Sequence, residues 1–95
     1  MELEIIEIVR EFRVIINNET LGIPIKARIL KHINLDGYWY ETSSAYKEQG
    51  RTDFYRPGAG ALSLQSAQDK LVTYLEDFQK AISAGGDYQP NTYID

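Results

Sequence analysis

SLQSAQDKLVTYLEDFQKAISA, residues Ser63 to Ala84, is the stretch from which the rest of the chain is read. Ala67, Leu71, Tyr74, Leu75, Phe78 and Ile82 recur at steps of three and four, which lines them up on one stripe of a helix. Gln68, Asp69, Lys70, Glu76, Asp77, Gln79 and Lys80 fall mostly off that stripe. Ser63 is placed to cap the first turn through its hydroxyl. Gly85-Gly86 is a stop signal, because glycine takes the left-handed conformation that ends helices. Such a helix spans about 30 Å, at roughly 1.5 Å per residue. Its aromatic stripe needs a second layer to cover it, and the residues before it read as strands.

Residues 2–16, ELEIIEIVREFRVII, fit two periods. Ile5, Val9, Phe12 and Ile16 would make a helical stripe, but seven of the fifteen residues are Ile or Val. These are stiff at χ1 and favour strands. Ile6, Ile8, Phe12, Val14 and Ile16 alternate with only Arg10 out of pattern, so a long first strand is expected. Asn17-Asn18-Glu19-Thr20 is a turn. Leu21, Ile23, Ile25, Ala27, Ile29 and Ile33 mark a second strand, with Lys26, Arg28 and His32 on its other face. A four-residue loop sets Val14 opposite Ile23 and Phe12 opposite Ile25. Pro24 cannot donate to a ladder, so it belongs where the second strand has one neighbour only.

Asp36-Gly37 is a two-residue hairpin signal. It leads into a third strand from Tyr38 to about Tyr46, and places Trp39, Glu41 and Ala45 on the face away from the isoleucines. An odd loop count would exchange the two faces. Thr52–Arg56 is expected as a short fourth strand. Pro57-Gly58-Ala59-Gly60 is a loop, and residues 87–95 read as a tail, open between disorder and docking through Tyr88, Tyr93 and Ile94. The expected fold is therefore α+β: an antiparallel four-stranded meander with one long C-terminal helix on one face, in a single domain over residues 1–86.

Composition narrows the function. The 95 residues contain no cysteine, which excludes disulfides, thiolate metal sites and cysteine nucleophiles. No apolar run reaches the ~20 residues of a membrane span, and the glutamate-rich start lacks the positive charge of a signal peptide. A cytoplasmic protein is expected. The net charge of −4 speaks against nonspecific nucleic-acid binding. Residues 21–60 nevertheless carry six bases against four acids, so an anionic partner would meet the middle of the chain.

Groups for catalysis are scarce. His32 is the only histidine, and the predicted register puts it beside Glu41 as a cross-strand polar pair. No metal-ligand spacing appears, and the glycine loop before the helix lacks the Lys and Ser/Thr of a phosphate loop. No enzyme, cofactor or metal is expected. The aromatics carry more information. Tyr38, Trp39, Tyr40, Tyr46, Phe54 and Tyr55 lie close together, interleaved with Lys47, Arg51 and Arg56. If the helix covers one sheet face, the other presents Trp39 with Leu30, Val9 and Phe54, rimmed by Arg28 and Arg51. An apolar patch rimmed by charge is how partner surfaces look.

Two readings follow. The first is a non-catalytic protein-interaction or regulatory module that uses this face on a protein partner or on a second copy as a homodimer. The second is a nucleic-acid-binding βββα domain, reading through its second to fourth predicted strands. The strand–strand–strand–helix order and the polar-then-Ala helix start are similar to plant AP2-type and phage integrase arm domains. None of their motifs matches, those domains are basic, and the sequence is assigned to neither family.

Overall fold

In the computed structural model, which describes residues 3–17, 22–58 and 60–90, the elements are β1 (Ile6–Asn17), β2 (Gly22–His32), β3 (Trp39–Thr42), β4 (Ser44–Lys47), α1 (Leu64–Ser83) and β5 (Asp87–Pro90). The fold is α+β, with antiparallel strands and one C-terminal helix packed on them. The strands form two sheets, β1-β2-β3 and β4-β5, rather than one four-stranded meander.

The β1-β2 register sets Ile16 opposite Ile23, Val14 opposite Ile25 and Phe12 opposite Ala27. This is two residues away from the expected pairing. An even offset leaves every side chain on its expected face, because side chains alternate with a period of two. A bulge between Ile8 and Arg10 then breaks the alternation, so Arg10 lies opposite Ile29 while Ile8 lies opposite Leu30. The Lys26 N–H donates to Ser43 Oγ (3.0 Å), and the Lys26 carbonyl accepts from the Ser43 N–H (2.9 Å). Lys26 thus turns its backbone toward the β3 side, and Pro24, two residues away, turns the same way. Pro24 sits beyond the last β2-β3 pair, Ala27↔Thr42, where β2 has β1 beside it and no N–H is needed.

The expected two-residue hairpin at Asp36-Gly37 does not form. The last registered pair is Leu30↔Trp39. The chain turns at His32–Leu35, where the Leu35 N–H reaches the His32 carbonyl (3.1 Å). Gly37 has φ +104. Tyr38 pairs with Ala61, the segment leading into the helix, through two backbone bonds of 2.7 and 2.8 Å. That pairing removes Tyr38 from the hairpin. The connection still holds an even number of residues, so Trp39 keeps the face expected for it.

The expected third strand breaks at Ser43. Its hydroxyl is held by Lys26, and Thr42 Oγ1 donates to the Ser44 carbonyl (2.8 Å). The local Thr42–Ser44 bond competes with a continuous ladder and bends it. The chain resumes as β4, whose partner is β5: Tyr46 lies opposite Tyr88 and Lys47 opposite Asp87. Thr52–Arg56 is not a strand, and contributes only the bridge Tyr46↔Tyr55. Residues 87–90, read as tail from the sequence, are ordered as β5 because Tyr88 sets its ring against Phe78, with centroids 6.4 Å apart. Residues 91–95, with Tyr93 and Ile94, lie outside the described residues.

α1 begins where expected. Ser63 Oγ accepts from the Ser66 N–H at 3.1 Å. At its end Gly85 has φ +89; the Gly86 N–H reaches the Ala81 carbonyl (2.7 Å) and the Gly85 N–H reaches that of Ile82 (3.2 Å). This is the paired closure of a Schellman cap. The helix lays Ala67, Leu71, Tyr74, Phe78 and Ala81 on Ile16, Ile23, Ile25, Ala27, Ile29, Tyr40 and Tyr46. Leu75 and Ile82, on the expected stripe, are only partly buried at its margin. Tyr46 rests against Tyr55, Tyr74 and Phe78 at 5.1–5.2 Å. Tyr74 donates its hydroxyl to the Tyr55 carbonyl at 2.7 Å. Burial, helped by Asp77, Tyr55, Glu48 and Tyr40, pushes the Tyr46 phenol up to about 12, and burial raises Tyr74 as well.

Candidate functional site

The face of β1-β2-β3 turned away from α1 is ordered in rows that cross the strands. Ile8, Leu30 and Trp39 form an apolar row, since Ile8 pairs with Leu30 and Leu30 with Trp39. Leu30 is only 6 % exposed although no helix covers it, and Ile8 beside it is 49 % exposed. The next row is Glu11–Arg28–Glu41. Arg28 Nε lies 3.6 Å from Glu11 Oε2, so a cation stands between two carboxylates. Beyond it Arg13 lies opposite Lys26, and Ile15 opposite Pro24. On the other side of the apolar row His32 pairs with Ile6, and its Nε2 is 3.5 Å from Glu4 Oε1.

The apolar row opens into a shallow pocket of about 440 Å³ at the end of the sheet, walled by Trp39, Tyr38, Leu35, Ala61, Leu62 and His32. Leu62 and Leu35 stand 91 % and 61 % exposed at its rim. The bridge between Tyr38 and Ala61 builds this pocket, because it draws the pre-helix segment alongside the start of β3.

Of the six residues singled out from sequence, Trp39, Leu30 and Arg28 lie on this face, in adjacent rows. Val9 does not. It sits at the bulge and packs against the core, and Ile8 takes its place beside Leu30. Phe54 follows β4, with Lys47 Nζ 5.1 Å from its ring centre. Arg51 lies in the turn after β4, its N–H on the Glu48 carbonyl (3.1 Å). Neither is part of the three-stranded sheet. His32 was expected beside Glu41; the four-residue shift of the β2-β3 register puts Arg28 there instead.

Sequence reasoning missed Ile8, Glu11 and the pocket residues Leu35 and Leu62. Arg10 in an otherwise apolar alternation was the available sign of the bulge that turns Ile8 outward. Nothing local marked the long-range pairing of Tyr38 with Ala61.

Among the described residues, no three His, Asp or Glu side chains gather as a metal site would need. No described helix is long and apolar enough to cross a membrane. No protein-family model, curated protein or solved structure matches this chain.

Proposed function

We propose that the chain is a small non-catalytic protein-interaction module, working in the cytoplasm, whose contact surface is the helix-free face centred on Trp39. The observation that carries this is the row Ile8–Leu30–Trp39. It places apolar side chains of three strands together on a face the core does not use. A buried aromatic anchor with a polar rim is the usual anatomy of a binding hot spot. Here Trp39 is the anchor, the neighbouring pocket takes an apolar side chain of the partner, and Glu11–Arg28–Glu41 forms the rim. The lack of cysteine suits a reducing compartment.

The same rim weighs against nucleic acid. Two carboxylates flank Arg28 on the surface that would meet phosphates, and a polyanion is favoured by clustered cations. The test is cross-linking in the producing cells with wild-type protein and with Trp39→Ala, the fold of each checked by circular dichroism. A discrete protein adduct that disappears in Trp39→Ala is expected. Adducts to DNA or RNA alone, or adducts to other proteins that are all indifferent to Trp39→Ala in a folded variant, would overturn the reading.

A further inference from the structure

The outer edge of β1 is the longest backbone edge in the molecule, and among the described residues it meets no other strand. Its C-terminal end is closed by a side chain. Gln79 accepts from the Asn17 N–H (2.8 Å) and donates to the Asn17 carbonyl (2.6 Å), in the way a neighbouring strand would. The backbone of Asn17 therefore faces outward, and strand alternation turns the N–H and C=O groups of Ile15, Arg13 and Glu11 the same way. These three residues form an open segment between the bulge and the Gln79 clamp.

Two further features border that segment. The first is charge. Arg13 lies opposite Lys26 within the sheet, and among the described residues no carboxylate bridges it. Glu11, whose Oε2 is 3.6 Å from Arg28 Nε, stands two positions away. Edge charges of one sign would repel a copy of the same edge, but this pair of opposite signs is self-complementary. The second is the adjoining flank of α1. Arg10 Nη1 donates to Gln68 Oε1 (2.7 Å), and Gln79 reaches Asn17, so the helix runs in the same direction as β1 with this flank beside it. The flank is Gln68, Val72, Leu75 and Gln79, at spacings of four, three and four, and it is uncharged. Val72 is 47 % exposed and lies on the stretch of helix between the Arg10–Gln68 and Asn17–Gln79 contacts.

We infer that β1 pairs antiparallel with β1 of a second copy of this chain, about a two-fold axis through Phe12, with Glu11 opposite Arg13 of the other copy. Symmetry forms the second Arg13–Glu11 pair. Glu11 and Arg13 of each strand then supply four backbone hydrogen bonds. The same axis brings the Val72 flanks of the two helices side by side. The result is one six-stranded sheet whose helix-free face carries two Trp39 rows, and it stands independently of whether Trp39 binds a partner.

Sedimentation equilibrium of the full chain tests this. The wild type is expected to dimerise reversibly. Arg13→Glu, which sets carboxylate against carboxylate across the axis, should weaken the dimer by about tenfold or more. Glu11→Arg with Arg13→Glu should restore it. Arg13 is exposed and faces Lys26, so the single variant is expected to fold. Because the chain has no cysteine, Val72→Cys gives a second readout: it should form a disulfide-linked dimer on mild oxidation, and Thr73→Cys, on the far flank, should not. Trp39→Ala should leave the dimer intact. A monomer at millimolar concentration, a dimer unchanged by Arg13→Glu, failure of the charge swap to restore association, or loss of the dimer in Trp39→Ala would each overturn the inference.

Discussion

On the helix side of the β1-β2-β3 sheet, Ile16, Ile23, Ile25, Ala27, Ile29 and Tyr40 are each at most 6 % exposed. One residue away along the same strands, on the other side, stand Lys26, Arg28, Glu11 and Glu41, and Leu30 is the one side chain buried as deeply. The covered face is what packing requires: branched aliphatics, a tyrosine and one alanine, Ala27, that lets the helix approach. The free face carries an apolar row that the fold does not need for its core. It is this row on which the proposed contact surface rests.

The largest effect that would break this contrast lies on the covered face. Phe78 is fully buried and touches Tyr46, Tyr74 and Tyr88. Phe78→Ala is expected to cost about 3–5 kcal/mol in urea unfolding, from lost burial and the cavity left behind. A cost below about 1 kcal/mol would mean that the helix is not the lid of the core.

The covered face should also answer to alkali. A free tyrosine titrates near 10, whereas the Tyr46 phenol is held up to about 12 by burial, and Tyr74 is raised too. Both must stay neutral in the folded chain. Their contribution is complete below pH about 10 and is lost as pH rises toward 12, because the unfolded chain releases those protons first. Urea midpoints should fall over that interval, by up to about 1.4 kcal/mol per pH unit for each group. A flat profile would contradict their burial.

The smallest effect belongs to the free face. Trp39 is half-buried, so Trp39→Ala should cost about 1 kcal/mol of stability, well below Phe78→Ala, while removing partner capture. A cost equal to that of Phe78→Ala would erase the distinction between the two faces.

Much of this contrast was legible in the sequence, through parity. The registers of both hairpins differ from expectation by even numbers, so Ile25, Ala27 and Ile29 keep the core face and Arg28, Leu30 and Trp39 the free one. The helix and its caps followed from local chemistry at Ser63 and Gly85-Gly86. Features decided by distant partners were hidden. Thr42-Ser43-Ser44 contained the hydroxyls that bend the chain, but the partner of Ser43, Lys26, is set by the register. β5 is four residues long and has no period of its own; Tyr88 is ordered by Phe78 and Tyr46. Val9 and Ile8 exchanged roles because one extra residue enters β1 ahead of Arg10.

A photoreactive residue placed at Ile8, in the apolar row, and in parallel at Thr73, on the helix flank away from β1, compares the free face with the helix side directly in living cells. The expected result is a discrete protein adduct from position 8 and none from position 73. Equal labelling from both positions, or labelling from 73 alone, would contradict the assignment of the Trp39 face as the working surface.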